Sequence, residues 1–401
     1  MKKVIKKPMR LILLSLFLFV ILILGILLAV SGVFQKPLYL EAWDKTYSEK
    51  FDDPRLRLAA HGLLAASGHN MQPWKVLLDE NDPMVFYLYA DSSRTSPEVD
   101  PYARQLMVSQ GTFLEYISVA GQKLGYDVAL DLFPGGPYDE QERSESMDSL
   151  PVAKITLQNG AAQETPLYEA IFLPDTNRAA YLPEKLTQAQ MDELEAVSQD
   201  NGISVRILQD SENLEKLGDY AIQAGEIEAG TESVMKESED IFRANETEKN
   251  QYRYGFSVEG QGTTGLMKHI LQGLVTLFPS MNRGKAASDR FVSSIRAEVG
   301  STPAYALIVT HDNSRESQVK SGIVYSRMIL QAHRMGLVLQ PLSQALEEYP
   351  RMEAVYRAIH DEYAPDGGTI QMLVRVGKTG QAAPLSMRRD VMELVKKSEM
   401  Q

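Results

Sequence analysis

Residues 11–30, LILLSLFLFVILILGILLAV, form an unbroken run of twenty uncharged, almost wholly apolar side chains. At about 1.5 Å per helical residue such a run matches a bilayer core of roughly 30 Å. Five basic residues precede it (Lys2, Lys3, Lys6, Lys7, Arg10), which predicts a cytoplasmic N-terminus and a body on the far side of the membrane. A cleaved signal peptide is the alternative, because Ala29-Val30-Ser31 resembles a small-x-small cleavage site. Its apolar region normally runs only about 7–15 residues, which favours an uncleaved anchor. The chain of 401 residues carries a net charge of −12, and the part beyond the five basic residues carries −17. An acidic body argues against nucleic-acid binding. The absence of cysteine excludes disulfides, thiolate metal sites and cysteine catalysis.

Beyond the apolar run the pattern repeats. Asp53-Pro54 reads as a helix start, with the helix running through Leu64, and strands are predicted at 75–79 and 84–89. Residues 102–124 read as a helix with Phe113, Ile117, Ala120 and Leu124 on one stripe, ended by Gly125. Strands follow at 127–132 and 152–157, separated by a Pro-, Gly- and Ser-rich linker over 134–149. Later, residues 316–335 read as a second long helix ended by Gly336, with strands at 337–339 and 369–376. Gly111 and Gly125 are 14 apart, as are Gly322 and Gly336, and the offset between the pairs is 211. The flanking elements agree in type and order, with 191–208 standing for the 54–78 helix–strand unit. The reading is an α+β chain of two related lobes, 54–165 and 176–395, after an N-terminal tip and anchor at 1–32. The second lobe carries an insertion at about 215–300.

Between the first helix and the first strand lies Ala65-Ala66-Ser67-Gly68-His69-Asn70-Met71-Gln72-Pro73-Trp74. Small residues followed by hydroxyl, imidazole and amide groups make a poor structural loop and a good ligand loop, since so many polar side chains need partners. Taken singly, each has a structural reading: Ser67 as a helix cap, His69 as a structural histidine, Trp74 as core.

The spacing resembles the Ser-x-x-Asn-x-Gln-Pro-Trp signature of the nitroreductase superfamily, FMN-dependent oxidoreductases. Further matches follow in order. Asp91-Ser-Ser-Arg94, Asp100-Pro-Tyr-Ala-Arg104 and Ser109-Gln-Gly111 look like the segment after that signature. Thr176-Asn177-Arg178 partly resembles an Arg-rich motif opening the second lobe, with Phe172-Leu-Pro-Asp175 where the leading arginines usually stand. Gly336-Leu-Val-Leu-Gln340-Pro341-Leu342-Ser343-Gln344 resembles a turn beside the flavin. Arg375-Val376-Gly377, then Pro384-Leu-Ser-Met-Arg388-Arg389, resembles the closing strand and a basic phosphate-binding segment. Along residues 54–395 the chain is similar to the two-lobed, single-chain Acg-like branch.

That resemblance implies a nitroreductase-like fold, with the two lobes forming an internal pseudo-dimer around one FMN, so that a monomer suffices to build the site. Arg178, Arg388 and Arg389 would grip the phosphate, because guanidinium groups bind it in bidentate fashion. Ser67, His69, Asn70, Gln72 and Gln340 would meet the ribityl chain and pyrimidine edge, and Pro341 and Leu342 would cover the ring. The flavin carries the chemistry, so no catalytic side chain is expected. NAD(P)H is the implied reductant, and a nitroaromatic, a quinone or a similar small molecule the acceptor. Two other functions remain open: FMN binding or sequestration without turnover, and a structural module without cofactor. Residues 226–262 read either as a lid over the flavin or as a surface insertion. Gly260-Gln-Gly262-Thr-Thr-Gly265 matches G-x-G-x-x-G, but Phe256–Val258 is short for the strand a dinucleotide fold needs before it.

Overall fold

The computed structural model describes residues 7–198, 200 and 202–396. The chain begins with α1 (Lys7–Ser31), then two short 3₁₀ turns at Leu38–Trp43 and Tyr47–Lys50. Next come α2 (Pro54–Gly62), β1 (Trp74–Leu78), β2 (Val85–Ala90), α3 (Arg104–Leu124), β3 (Tyr126–Leu132), α4 (Arg143–Ser149) and β4 (Ala153–Asn159). The second part holds α5 (Gln188–Glu195), β5 (Ile203–Leu208), α6 (Ser211–Ala229), α7 (Glu232–Asp240), β6 (Phe242–Arg243), α8 (Glu246–Tyr252) and β7 (Phe256–Ser257). It continues with α9 (Gly265–Leu277), α10 (Gly284–Gly300), β8 (Ala304–Thr310), α11 (Arg315–Arg334), β9 (Val338–Pro341), α12 (Glu353–Tyr363) and β10 (Thr369–Gly377).

Two four-stranded antiparallel sheets result, ordered β1-β2-β4-β3 and β5-β8-β10-β9. Counting strands within each sheet, both have the order first-second-fourth-third. In each, one long helix joins the second strand to the third: α3 in the first sheet and α11 in the second. Helix boundaries follow local chemistry. Asp53 caps α2 by accepting from the Arg55 amide at 2.9 Å, Pro54 suits its first turn, and Gly125 ends α3 with a φ of 83°. The stretch 134–149, expected as a linker, contains α4; Ser146 and Met147 turn inward and give that helix a buried face.

The two parts meet where α3 packs along α11. At this crossing a Cβ on Gly111 would lie 1.8 Å from the Val319 carbonyl oxygen, and one on Gly322 would lie 1.9 Å from that of Val108. The contact is reciprocal, since Val319 and Gly322 stand 211 residues after Val108 and Gly111. Only glycine lets the backbones come this close. Ion pairing flanks the crossing: the Arg327 guanidinium grips Glu115 with two 2.8 Å bonds.

The insertion is ordered around a buried charge cluster. Lys249 ion-pairs with Glu246 at 3.2 Å and with Glu259, and donates to the Tyr39 hydroxyl at 2.5 Å. Tyr39 in turn donates to Glu246 at 2.7 Å. Burial works against the Glu246 carboxylate, yet Lys249, Gln272, Tyr39 and Lys268 together hold it down to about 2. The C-terminal segment returns to the first sheet, where the Lys396 amide donates to the Val76 carbonyl at 2.7 Å.

Two outcomes are expected. Gly322→Ala should cost about 3 kcal/mol through overpacking of the crossing, read as a lowered urea midpoint with unchanged slope. His61 is buried against Tyr168 and Phe172, and burial pushes its imidazole from 6.5 down to about 4. Between those values the unfolded chain binds a proton that the folded chain refuses. Stability is therefore full above pH 6.5 and falls as the pH drops towards 4, by on the order of 3 kcal/mol from this group. Thermal midpoints across pH 4–7, compared with those of His61→Gln, should reveal that share.

Candidate functional site

The ligand-type loop departs from α2 through Leu63–Ser67 and adopts an unfavourable backbone. His69, Asn70 and Gln72 have φ of 51°, 53° and 52°. Three left-handed non-glycine residues within four positions cost of order 1 kcal/mol or more each. The loop persists because its side chains are tied on several sides. Ser67 does not cap α2; its hydroxyl accepts from the Gln72 amide at 3.0 Å and pins the turn. Trp74 is fully buried and donates to the Ser109 carbonyl at 2.7 Å, which anchors the loop's end in the core.

The chain's last segment supplies the remaining ties. Arg388 donates to Asn70 Oδ1 at 2.9 Å and to the Leu64 and Ala65 carbonyls at 2.8 and 3.2 Å. It also pairs with Asp175 at 3.4 Å and lies over the Trp43 ring. The Arg389 amide donates to Gln72 Oε1 at 2.9 Å, and its guanidinium to the Gln72 and Glu393 carbonyls. Both arginines are buried, and burial lowers both side chains, Arg389 to about 10. They are not the solvated start of a helix, since each guanidinium answers backbone carbonyls that burial would otherwise orphan.

On its other side the loop meets the insertion. The Gly255 amide donates to the Asn70 carbonyl at 3.2 Å, and Asn70 Nδ2 to the Gly255 carbonyl at 3.3 Å. Gln72 donates to the Arg253 carbonyl at 2.9 Å. Phe256 meets the His69 ring edge-on at 5.2 Å. Burial, reinforced by Arg178, lowers the His69 imidazole to about 4 and keeps it neutral at pH 7. Beside the loop is a cavity of only about 20 Å³, lined by Gly68, His69, Met71, Arg94, Asp100 and Ser109, among others. That is room for about one water molecule, far below the roughly 300–1,000 Å³ usual for ligand pockets, so the loop is closed down on its neighbours.

Behind the loop, between α3 and α11, runs a polar seam whose tyrosines sequence reasoning missed. Asp175, Tyr116, Tyr181 and Arg178 all act on the buried Tyr325 hydroxyl, which burial chiefly raises far above its ordinary range. Tyr116 is raised the same way, next to Asp175 and Arg388. Among the described residues, no hydrogen-bond partner meets the Tyr116 or Tyr325 hydroxyl, Arg388 Nε, His333 Nδ1, Gln340 Oε1, or Nε and Nη1 of Arg375. Arg375 stacks on Tyr181 at 3.6 Å and donates to the Ala179 carbonyl at 2.6 Å. Buried polar groups are nearly always paired; such atoms also occur elsewhere among the described residues, but here three of them are guanidinium nitrogens of Arg375 and Arg388, which fits a polar ligand with an anionic part. The motif matches carried sequence signals for Arg375, Arg388, Gln340 and Arg178. Tyr116 and Tyr325 carried none, being aromatic residues within helical stripes.

The expected site residues divide accordingly. Ser67, His69, Asn70, Gln72, Arg388 and Arg389 come together. Arg178 lies on the surface, donating to the Gly260 carbonyl at 3.2 Å, and acts on both His69 and Glu298. Gln340 is buried near Glu298, and Pro341 pairs in β9 with Val374. Leu342, expected to cover a ring, is instead buried in an apolar cluster with Leu217, Leu346 and Leu373. Its amide bonds the Leu373 carbonyl, which fixes it in the core.

No family model and no curated protein matches the chain. Solved structures do. A nitroreductase-like family protein from Bacillus cereus is 13% identical over 60% of this chain and 100% of its own, with a TM-score of 0.32. Iodotyrosine deiodinase bound to FMN and 3-iodo-L-tyrosine is 12% identical over 56% and 95%, with a TM-score of 0.32. The FMN-dependent nitroreductase NfnB from Mycobacterium smegmatis, in complex with NADPH, is 13% identical over 56% and 94%, with the same TM-score. These neighbours are nitroreductase-like proteins.

Removing an unpaired buried hydroxyl takes away a desolvated group and no bond. Tyr116→Phe and Tyr325→Phe should therefore leave the ligand-free protein within about 1 kcal/mol of its parent, or more stable, in urea unfolding. Loss of several kcal/mol would mean that the hydroxyls are paired within the fold.

Proposed function

We propose that the chain is a membrane-anchored FMN-dependent oxidoreductase of nitroreductase type, with the flavin held in the seam between two related halves. The observation that carries this reading is the seam itself. A strained, amide-rich loop at 67–72 is tied to residues more than 300 positions later, and behind it unpaired hydroxyl, amide and guanidinium groups converge. Matching sheet orders and the reciprocal glycine crossing support an internal pseudo-dimer. In such an arrangement one chain provides both walls of a site that separate subunits would otherwise share. Helix α1, exposed along most of its length and long enough to span a bilayer, is the anchor in this reading, with the body extracytoplasmic.

FMN, when bound, supplies redox chemistry, taking reducing equivalents from NAD(P)H or another donor and passing them to a quinone, nitroaromatic or similar acceptor. This chain's own residues bind, orient and exclude water. Arg375 and Arg388 supply positive charge for the phosphate, with Arg178 at the rim. Asn70 and Gln72 present amides, while Tyr116 and Tyr325 offer hydroxyl donors. Segment 253–256 is the lid, which must lift for a ring to lie beside Asn70.

A second reading is favoured by the same contacts. Both Nη atoms of Arg388 already have partners, and Gly255 and Phe256 lie against the loop, as in a cofactor-free module. Full-length protein purified in detergent, with FMN added, separates the two. The expected result is a flavin visible spectrum that NAD(P)H or dithionite bleaches. Asn70→Ala and Arg375→Gln should each lower FMN affinity by at least about tenfold, the scale of one or two lost charge-assisted hydrogen bonds. Asn70→Ala should also lower the thermal stability of the apo-protein, because it removes the Arg388 and Gly255 contacts, so the affinity loss is read on protein shown to be folded. A folded protein that carries no flavin absorbance after incubation with excess FMN and removal of the unbound flavin by gel filtration would support the cofactor-free module and end the flavin reading.

A further inference from the structure

Helix α9 is amphipathic in the opposite sense to a surface helix of a soluble protein. Lys268, Gln272 and Thr276, four residues apart, turn into the body. Lys268 pairs with Glu246 at 3.0 Å, Gln272 donates to Glu246 at 3.0 Å, and Thr276 accepts from Asn245 at 3.2 Å. The opposite arc carries Leu266, Met267, Ile270, Leu274 and Leu277, and Phe278 extends it. Leu266, Met267 and Phe278 are 58%, 55% and 55% exposed. Water solvation favours the reverse arrangement, and a contiguous exposed apolar face marks an interaction surface.

The neighbour of this face identifies its occupant. One edge of α9 packs against the C-terminal turns of α1. A Cβ on Gly273 would lie 2.4 Å from the Leu27 carbonyl oxygen, and His269 Nδ1 lies 3.4 Å from Ser31 Oγ. Small residues commonly permit such close helix contacts in membranes. Leu27 falls inside the uncharged run 11–30, roughly one helical turn, about 5 Å, short of its end. An element against Leu27 therefore shares the depth of the hydrocarbon boundary, where interfacial helices bury their apolar faces by about 5–10 Å.

We infer that α9 and the turn after it lie in the bilayer leaflet at the C-terminal end of α1, their outward face covered by phospholipid acyl chains. The body is then seated on the membrane rather than tethered above it. This rests on the reading of α1 as a membrane anchor. The buried cluster of Glu246, Lys249 and Glu259 holds α9 from the body side, so seating anchors this part of the insertion at the membrane surface.

The chain has no cysteine, so single substitutions give single labels. Full-length Met267→Cys, Phe278→Cys, Ile21→Cys and Glu212→Cys would each carry a nitroxide. The reconstitution would use phosphatidylcholine–phosphatidylglycerol vesicles, with collisions measured against oxygen and a water-soluble nickel chelate. Labels at 267 and 278 should group with 21, gaining oxygen collisions and losing nickel collisions several-fold relative to 212. Labels at 267 and 278 that group with 212 overturn the inference; if 21 alone stays lipid-exposed, the anchor reading survives that failure. Labels at 267 and 278 shielded from both reagents would show a second protein copy on the face, and also overturn it.

Discussion

Two glycines without side chains, one on each long helix, set the distance on which the rest of this molecule depends. At the α3–α11 crossing each backbone occupies the space that the other's Cβ would fill. Everything lateral to the crossing follows from that spacing. The two sheets are held on either side, the Arg327–Glu115 pair closes one flank, and the polar seam opens alongside. A methyl group here would not merely dent the core. It would push apart the two halves whose nearness gives Tyr116 and Tyr325 their common environment.

The strained loop and the seam are two expressions of one arrangement. Left-handed φ at His69, Asn70 and Gln72 is tolerated because bonds from the chain's last segment, the insertion and α3 over-determine the loop. Arg388 and Arg389 serve this purpose in the closed arrangement, donating to carbonyls and amides that a free loop would present to water. Arg375 has no such employment on two of its nitrogens, and it is the residue whose situation most resembles that of a ligand-binding guanidinium.

Much of the local architecture was legible in the sequence. The helices expected over 102–124 and 316–335 appear as Arg104–Leu124 and Arg315–Arg334, because their apolar stripes and terminal glycines are strong local signals. The strands at 75–79, 84–89, 127–132 and 369–376 are likewise present within a residue or two. Helix α4 was hidden because its seven residues, RSESMDS, hold a single apolar side chain, Met147, and so carry no periodic stripe; its burial is made by tertiary contact. Leu342 read as a ring cover because a motif shows sequence position and not direction. The roles of Arg388, Arg389 and the seam tyrosines were out of reach for a related reason. Whether a buried donor meets a carbonyl or stays unpaired depends on segments hundreds of residues away, which no local pattern encodes.

The return of residues 386–396 to the first sheet has a consequence for biogenesis. The loop at 67–72 takes its geometry from side chains that lie more than 300 residues further along the polypeptide. During synthesis the first sheet and its helices can assemble early, but the loop must wait until residues 386–396, more than 300 positions later, have been made and threaded home. If the body crosses a membrane, that wait extends through export. A ribosome that stalls before residue 386, or a protease that removes residues 386–396, would leave a largely folded protein with its strained turn relaxed and its seam unsealed.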